Sequence, residues 1–220
     1  DIESLIANFS SHDTAFMRGA LQHAMHRTSE YLLPQITTTT SAGQLRIVDN
    51  PPAVTHLPSL TLEIAQGLKT EYMRSMRMDS AFLLRQFRLV DIVFRAGGVG
   101  SVGTRCMLLL LTGPSGEPLF LQVKEAERSV LERFGGAPDL VRTSDRPDHD
   151  HEGFRVVNCQ RILQTAPDPF LGHVSYDGHD YYVRQFSNMK ASITIDKLSD
   201  GEFCVYVRLC GALLGRSHAQ

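Results

Sequence analysis

The sequence lacks the cysteine pattern of a disulfide framework or of a structural zinc site. It contains no Cys-x-x-Cys pair, and its four cysteines lie in apolar segments, at Cys106, Cys159, Cys204 and Cys210. Cysteines in such segments behave as small hydrophobic residues, and disulfides persist mainly in oxidising compartments. We therefore expect buried, reduced thiols in a cytoplasmic protein.

Long apolar runs and an excess of one charge are also absent. The longest purely apolar run covers residues 107–111, whereas a membrane-spanning helix needs about 20 apolar residues. The 22 basic and 24 acidic residues leave a net charge of −2, so the composition offers no basic surface for nucleic-acid phosphates or anionic lipids. Neither nucleic acid nor a membrane is expected as a partner.

Motifs for nucleophilic hydrolysis and for metal binding are missing as well. The chain has no Gly-x-Ser-x-Gly motif, and its cysteines lie in apolar runs that disfavour a reactive thiolate. Residues 148–151 read Asp-His-Asp-His, a composition that suits transition metals. Their spacing is poor for a metal and a proline precedes them, so we interpret this segment as a solvated loop and predict no metal site.

Hydrophobic periodicity and turn residues predict an α+β fold in two parts. Residues 1–58 form a helical segment and a connector, because helical spacing gives way there to a polar, β-branched run and a double proline. Residues 59–220 form the single domain, with amphipathic helices over 60–87, three strands between 92 and 124, a helix over 154–165 and a hairpin about Asp177-Gly178. We expect an antiparallel sheet of about five strands, one helix packed against it, and flanking helices from both ends of the chain.

The two ends of the sequence carry further expectations. A final helix opens near Ser199, and its spacing predicts a core face of Phe203, Val207, Cys210 and Leu214. The chain begins with Asp1 rather than Met and has no signal pattern. We expect a processed or truncated piece of a longer protein.

The most informative motif is Gly98-x-Gly100-x-x-Gly103, which lies between two predicted strands and precedes Lys124 in a third. A helix after such a motif would indicate a dinucleotide-binding fold, but an apolar, strand-like run is typical of the glycine-rich loop of protein kinases. Glycines let backbone amides approach phosphates, the Ser101 hydroxyl adds a donor, and the lysine adds a charge. The alternative is a tight glycine hairpin beside an ordinary edge lysine.

A lysine that binds phosphates on a sheet needs a carboxylate to hold it, because an unpaired buried ammonium is costly. Glu132 and Glu152 are the two candidates, and the sequence does not rank them. Glu125 suits the role less well, since its neighbouring position in the strand points to the opposite face.

Several segments of the chain resemble one bacterial family. They are the run from Gly98 to Cys106 (GVGSVGTRC), the run from Pro118 to Ala126 (PLFLQVKEA), Ser129-Val-Leu-Glu132, Tyr182-Val-Arg-Gln185 and Arg208-Leu-Cys-Gly211. With these motifs, residues 30–220 are similar to the family named domain of unknown function 2252. The resemblance implies upstream motifs, Gly-Asp-x-His and an Asp-rich segment, that look like a phosphotransferase catalytic loop and a metal-binding aspartate. Neither motif is in this sequence.

The resemblance and the glycine motif together imply a kinase-like nucleotide-binding lobe with ATP as the cofactor. Residues 182–188, including Arg184 and Gln185, would form the hinge that faces the adenine ring. Mg²⁺ would bind only with the upstream segment, and without a catalytic aspartate motif no phosphate transfer is expected from this chain alone. The expected partners are a nucleotide or another small molecule, with a homodimer as the candidate assembly. The alternative is a non-catalytic protein-interaction or small-molecule sensing module on a degenerate kinase-like fold.

Overall fold

The computed structural model describes residues 18, 19, 22, 25, 26, 28–96, 103–135, 150–164, 166–186 and 193–219. The chain contains two compact units, one of Leu33–Phe186 and the other of Asp1–Leu32 with Ser187–Gln220. The two units are defined by how compactly their residues pack. They do not test the domain boundary predicted after residue 58, which stays a prediction.

Antiparallel strands form the framework of the unit Leu33–Phe186. They are β1 (Thr37–Thr39), β2 (Leu45–Ile47), β3 (Val54–Thr55), β4 (Arg88–Arg95), β5 (Cys106–Thr112), β6 (Pro118–Glu125), β7 (Gly172–Tyr176) and β8 (His179–Gln185). β1 and β2 pair with each other, and the other strands form a six-stranded sheet in the order β3-β4-β5-β6-β8-β7. The predicted α+β class is confirmed. The short additional strand, β3, comes from the segment that was predicted to be a connector.

The main strands follow from apolar patterning and turn chemistry. β5 lies inside the sheet and is buried on both faces, which explains its unbroken apolar run. Between β7 and β8, Asp177 and Gly178 have positive φ values of 51° and 74°, the conformation that an Asp-Gly pair favours in a two-residue hairpin. The predicted meander of β4, β5 and β6 and the predicted β7–β8 hairpin are both present.

The helices are α1 (Ser29–Ile36), α2 (Leu62–Ser75), α3 (Met78–Arg85), α4 (Glu152–Leu163) and α5 (Asp200–His218). α2 packs on one face of the six-stranded sheet, which we call the α2 face. There Ala65 and Tyr72 of the helix share a buried cluster with Leu109 and Leu121 of the strands. This cluster is the main apolar core of the unit.

α4 packs against β7 and β8. Its Phe154 ring lies 5.6 Å from the ring of His173, a residue that alternation places on the sheet face opposite α2. The helix begins earlier than the predicted residue 154. Its first turn is held from outside, because Asp180 accepts the N–H of Glu152 at 2.8 Å and His151 Nδ1 accepts the N–H of Phe154 at 3.2 Å.

α5 occupies the predicted segment and begins with a capping box between Ser199 and Glu202. Its predicted core face is wrong. Phe203, Val207 and Leu214 are 45%, 50% and 58% exposed, whereas the buried residue of the helix is Val205. Periodicity shows that a helix has an apolar stripe, but it does not show whether another element covers that stripe.

The cysteines are all free, but only part of the prediction about them is correct. Cys106 is buried in β5 and Cys159 is half-buried, whereas Cys204 and Cys210 are exposed on α5. The expectation of buried thiols is therefore wrong for the last two, for the same reason as the predicted face of α5. Among the residues listed above as described, no helix is long and apolar enough to cross a membrane.

Candidate functional site

The sheet face opposite α2, which we call the Lys124 face, combines apolar residues with a group of polar and charged ones. Alternation along β6 brings Gln122 and Lys124 to the same face. Register places Tyr182 opposite Lys124, and it places Arg184 opposite Gln122. The face consists of Asp91, Val93 and Arg95 of β4, Cys106, Leu108 and Leu110 of β5, Phe120, Gln122 and Lys124 of β6, His173 and Ser175 of β7, Asp180, Tyr182 and Arg184 of β8, and Phe186 directly after β8.

The glycine-rich segment connects β4 to β5 at the end of the sheet where Lys124 lies. Cys106, the first residue of β5, is paired with Lys124. Gly103 has φ +89°, a conformation that side chains rarely adopt, so glycine is required there. The other predicted loop residues, Gly98, Gly100 and Ser101, lie outside the described residues, and their role stays a prediction.

Lys124 is half-buried, and no described carboxylate forms an ion pair with it. The two predicted partners form ion pairs with arginines: Glu132 with Arg128 at 3.1 Å, and Glu152 with Arg155 at 2.8 Å. The choice between the two glutamates therefore stays open. The Lys124 ammonium is a cation that the rest of the described structure does not neutralise.

Glu125 belongs to a different network on the other side of β6. It is paired in register with Tyr181, which lies on the α2 face. Its carboxylate accepts the backbone N–H of Arg105 at 2.7 Å and lies 2.9 Å from His179 Nδ1. Glu125 thus joins the start of β5 to β8.

Arg184 and Gln185, both predicted to form a hinge, point to different faces of β8. Arg184 shares the Lys124 face, whereas Gln185 is paired with Leu121 of the α2 cluster. The backbone N–H of Gln185 donates to the Asp168 carboxylate, which also accepts the N–H of Phe170 at 2.8 Å. The structure therefore brings Lys124 and Arg184 together and directs the Gln185 side chain elsewhere.

Gln122 is one of the residues of this face that the motif analysis missed. Its side chain is buried, its Oε1 accepts from Arg184 Nη2 at 3.4 Å, and its Nε2 donates to Cys106 Sγ at 3.4 Å. The signal was present in the sequence, because a residue two positions before a strand lysine shares the face of that lysine. The kinase motif Val-Ala-Ile-Lys has a small alanine at this position, so Gln122 is a departure from it.

A third cation lies on the same face. The guanidinium carbon of Arg95 lies 4.9 Å from the centre of the Phe186 ring, a cation–π contact. Alternation places two acidic residues on this face, and both are bound within the chain: Asp91 to His56 and to backbone N–H groups, and Asp180 to the N–H of Glu152 and the hydroxyl of Ser175. Arg95, Lys124 and Arg184 still leave the face with an excess of positive charge. Such a face attracts an anionic ligand.

The cavity on the α2 face is much less suited to a ligand. It lies between α2 and the sheet, has a volume of about 20 Å³ and has a mainly apolar lining that includes Lys69. That volume holds about one or two water molecules. Burial lowers the pKa of Lys69, whose ammonium donates to the carbonyl oxygen of Phe87. The described residues also contain no group of three or more His, Cys, Asp or Glu residues that could hold a metal ion.

Fold and site together define an α+β protein with a six-stranded antiparallel sheet and a positively charged sheet face. The chain belongs to the bacterial family described as "Uncharacterized protein conserved in bacteria (DUF2252)", which matches residues 2–220. The resemblance found in the sequence is thereby confirmed, and it extends to the N-terminal residues. No curated protein and no solved structure matches the chain.

Proposed function

We propose that the unit Leu33–Phe186 is the nucleotide-binding lobe of a kinase-like phosphotransferase. The observation that carries the proposal is the position of Lys124, a half-buried residue on the third strand of the meander, next to the start of the strand that follows the glycine-rich segment. Protein kinases use a glycine-rich loop over the phosphates and a lysine on the third strand in this relationship.

The order of elements supports the same proposal. After the meander of β4, β5 and β6, the chain forms α4 and then the β7–β8 hairpin, and β8 pairs with β6. A helix between the lysine strand and the last hairpin is what a kinase-like lobe uses to bring a glutamate towards the lysine. Glu152 lies at the start of α4 and Glu132 lies in the π-helical turn Leu131–Gly135 before it.

The charges of the Lys124 face support a phosphate-bearing ligand. Lys124 and Arg184 lie on neighbouring strands, and neither forms an ion pair with a described carboxylate. A triphosphate supplies the missing negative charge and accepts charge-assisted hydrogen bonds from both cations. We take the nucleotide to be a purine nucleoside triphosphate, with ATP as the form expected from the sequence.

Binding, and not transfer, is the activity proposed for these residues. The sequence contains no Gly-Asp-x-His motif to act as a catalytic loop, and kinase chemistry needs aspartate and asparagine ligands to position Mg²⁺.

The exposed free thiols of Cys204 and Cys210 suit a reducing compartment, and we therefore place the protein in the cytoplasm.

Calorimetric titration with ATP, with and without Mg²⁺, tests the proposal. The wild-type chain, Lys124→Ala and the control Lys197→Ala are compared, because Lys197 is an exposed lysine in a different part of the fold. Loss of a charge-assisted contact predicts ATP binding weaker by about tenfold or more for Lys124→Ala. Lys197→Ala should bind as the wild type does. A folded wild-type chain without affinity for ATP or GTP would contradict the proposal.

One observation favours the alternative, a protein-interaction module. Val130, Leu131 and Phe134, between β6 and α4, are 67%, 63% and 78% exposed. Exposed apolar side chains of this size that lie close together often mark contact surfaces. Under this alternative the folded protein binds no nucleotide. The calorimetric titrations of the wild type and of Lys124→Ala then both show no binding of ATP.

A further inference from the structure

Arg184 is an unusual residue to find among the apolar residues of a sheet face. It is half-buried, and no described carboxylate pairs with it. Its buried Nε has no hydrogen-bond partner among the described residues, and its Nη2 reaches Gln122 at the long distance of 3.4 Å. A buried donor without an acceptor is costly, but this Nε lies out of a ligand's reach. The donors of Arg184 for a partner from outside the chain are the remaining N–H groups of its two Nη nitrogens.

One ligand can reach both Arg184 and Lys124. Lys124 is paired with Tyr182, and Arg184 follows two residues later on the same strand and the same face. Such diagonal neighbours have Cα atoms about 7–8 Å apart. Both side chains are long. A ligand whose phosphate group binds Lys124 can therefore place another part of the same molecule beside Arg184.

The chemistry around Arg184 selects for hydrogen-bond acceptors. A guanidinium has only donors. The amide of Gln122 is buried, with its oxygen turned to Arg184 and its nitrogen to the sulfur of Cys106, so it does not present an acceptor to a ligand. A ligand edge with two neighbouring acceptors fits these groups, whereas an edge that presents an amino group beside one acceptor does not.

We propose that Arg184, held by Gln122, makes the nucleotide site selective for guanine over adenine. Guanine presents two acceptors, O6 and N7, on one edge, and arginine binds them through two parallel hydrogen bonds. Adenine presents N7 beside an amino group, which is a hydrogen-bond donor. A guanidinium has no acceptor to pair with that amino group. This inference rests on the proposed function, and it names the base that the same site prefers.

The test compares GTP, ITP and ATP by calorimetry on the wild-type chain, Arg184→Gln and Arg184→Lys. ITP has O6 and N7 but lacks the 2-amino group of guanine, so it isolates the edge that Arg184 reads. We expect the wild type to bind GTP and ITP about tenfold more tightly than ATP. Arg184→Gln should lose this preference, and Arg184→Lys should lose it too, because lysine keeps the charge but not the paired donors.

The outcomes separate this inference from the proposed function. ATP bound as tightly as GTP and ITP by the wild type, or a preference that Arg184→Gln leaves unchanged, overturns the guanine assignment and leaves the nucleotide site standing. A folded wild type that binds none of the three nucleotides overturns both. The comparison of nucleotides on the wild type needs no variant, so a failure of Arg184→Gln to fold does not remove the test.

Discussion

The carboxylate of Asp91 in β4 accepts the backbone N–H of Ile47 in β2 at 2.7 Å. The same carboxylate accepts the N–H of Ile92 at 2.9 Å, and His56 Nε2 lies 3.1 Å from it. His56 Nδ1 in turn lies 2.9 Å from the carboxylate of Asp49. Asp91 therefore attaches the β1–β2 hairpin and the chain after it to the six-stranded sheet.

Replacement of Asp91 by alanine is expected to destabilise the protein by about 2–3 kcal/mol, because buried N–H groups lose their acceptor. Urea denaturation measures the free energy of unfolding. Asp196→Ala, which removes an exposed carboxylate from the turn before α5, is the matched control and should change stability by less than about 0.5 kcal/mol. Equal stabilities of the two variants would show that Asp91 does not hold the hairpin.

Hydrogen bonds from the His56 side chain and backbone hold the pKa of Asp49 below its ordinary value of 3.8, and Arg46 adds to the effect. A carboxyl group whose pKa is lowered in the folded state stabilises the protein above its unfolded pKa, and this stability is lost as the pH falls through the folded pKa. In His56→Gln the pKa of Asp49 should rise towards 3.8. An NMR titration of the Asp49 carboxyl carbon measures both values, and an unchanged titration in the variant would contradict the assignment.

Two glycines in helices should respond oppositely to alanine. A Cβ at Gly153 in α4 would lie 2.3 Å from the carbonyl oxygen of Tyr181, whereas a Cβ at Gly67 in α2 meets nothing within 4 Å. Gly153→Ala should destabilise by about 1–3 kcal/mol, because backbone must move. Gly67→Ala should stabilise by up to about 1 kcal/mol through helix propensity. Thermal or urea unfolding checks both, and the same sign for both would refute the close contact at Gly153.

Lys69 gives a prediction about pH. Burial lowers its pKa below 10.5, which means that the charged ammonium destabilises the folded state. This destabilisation decreases as the pH rises through the lowered pKa of the folded state towards 10.5. Lys69→Met should therefore be more stable than the wild type at neutral pH, and the difference should narrow in alkaline solution. Urea denaturation at both pH values decides it. A variant less stable at neutral pH would mean that the bond to the Phe87 carbonyl outweighs the desolvation of the ammonium.

Part of the candidate site could be predicted before the structure and part could not. The strand position of Lys124 followed from the apolar run before it, and Arg184 was assigned to the same site. Gln185 was assigned there too, but its pairing with Leu121 places it on the α2 face. Neighbours in a strand point to opposite faces, and which face is which depends on strand register.

The sequence by itself determined the local structure: the apolar strands β4 to β6, the Asp-Gly hairpin, the capped helices and the family. These features depend on residues close together in the chain, where alternation, turn chemistry and capping act. Only the tertiary structure decided which charges share a sheet face, that Asp91 binds Ile47 and His56, and that the apolar stripe of α5 stays exposed. Those relationships join residues far apart in sequence, and no local pattern encodes which distant surface will cover a side chain.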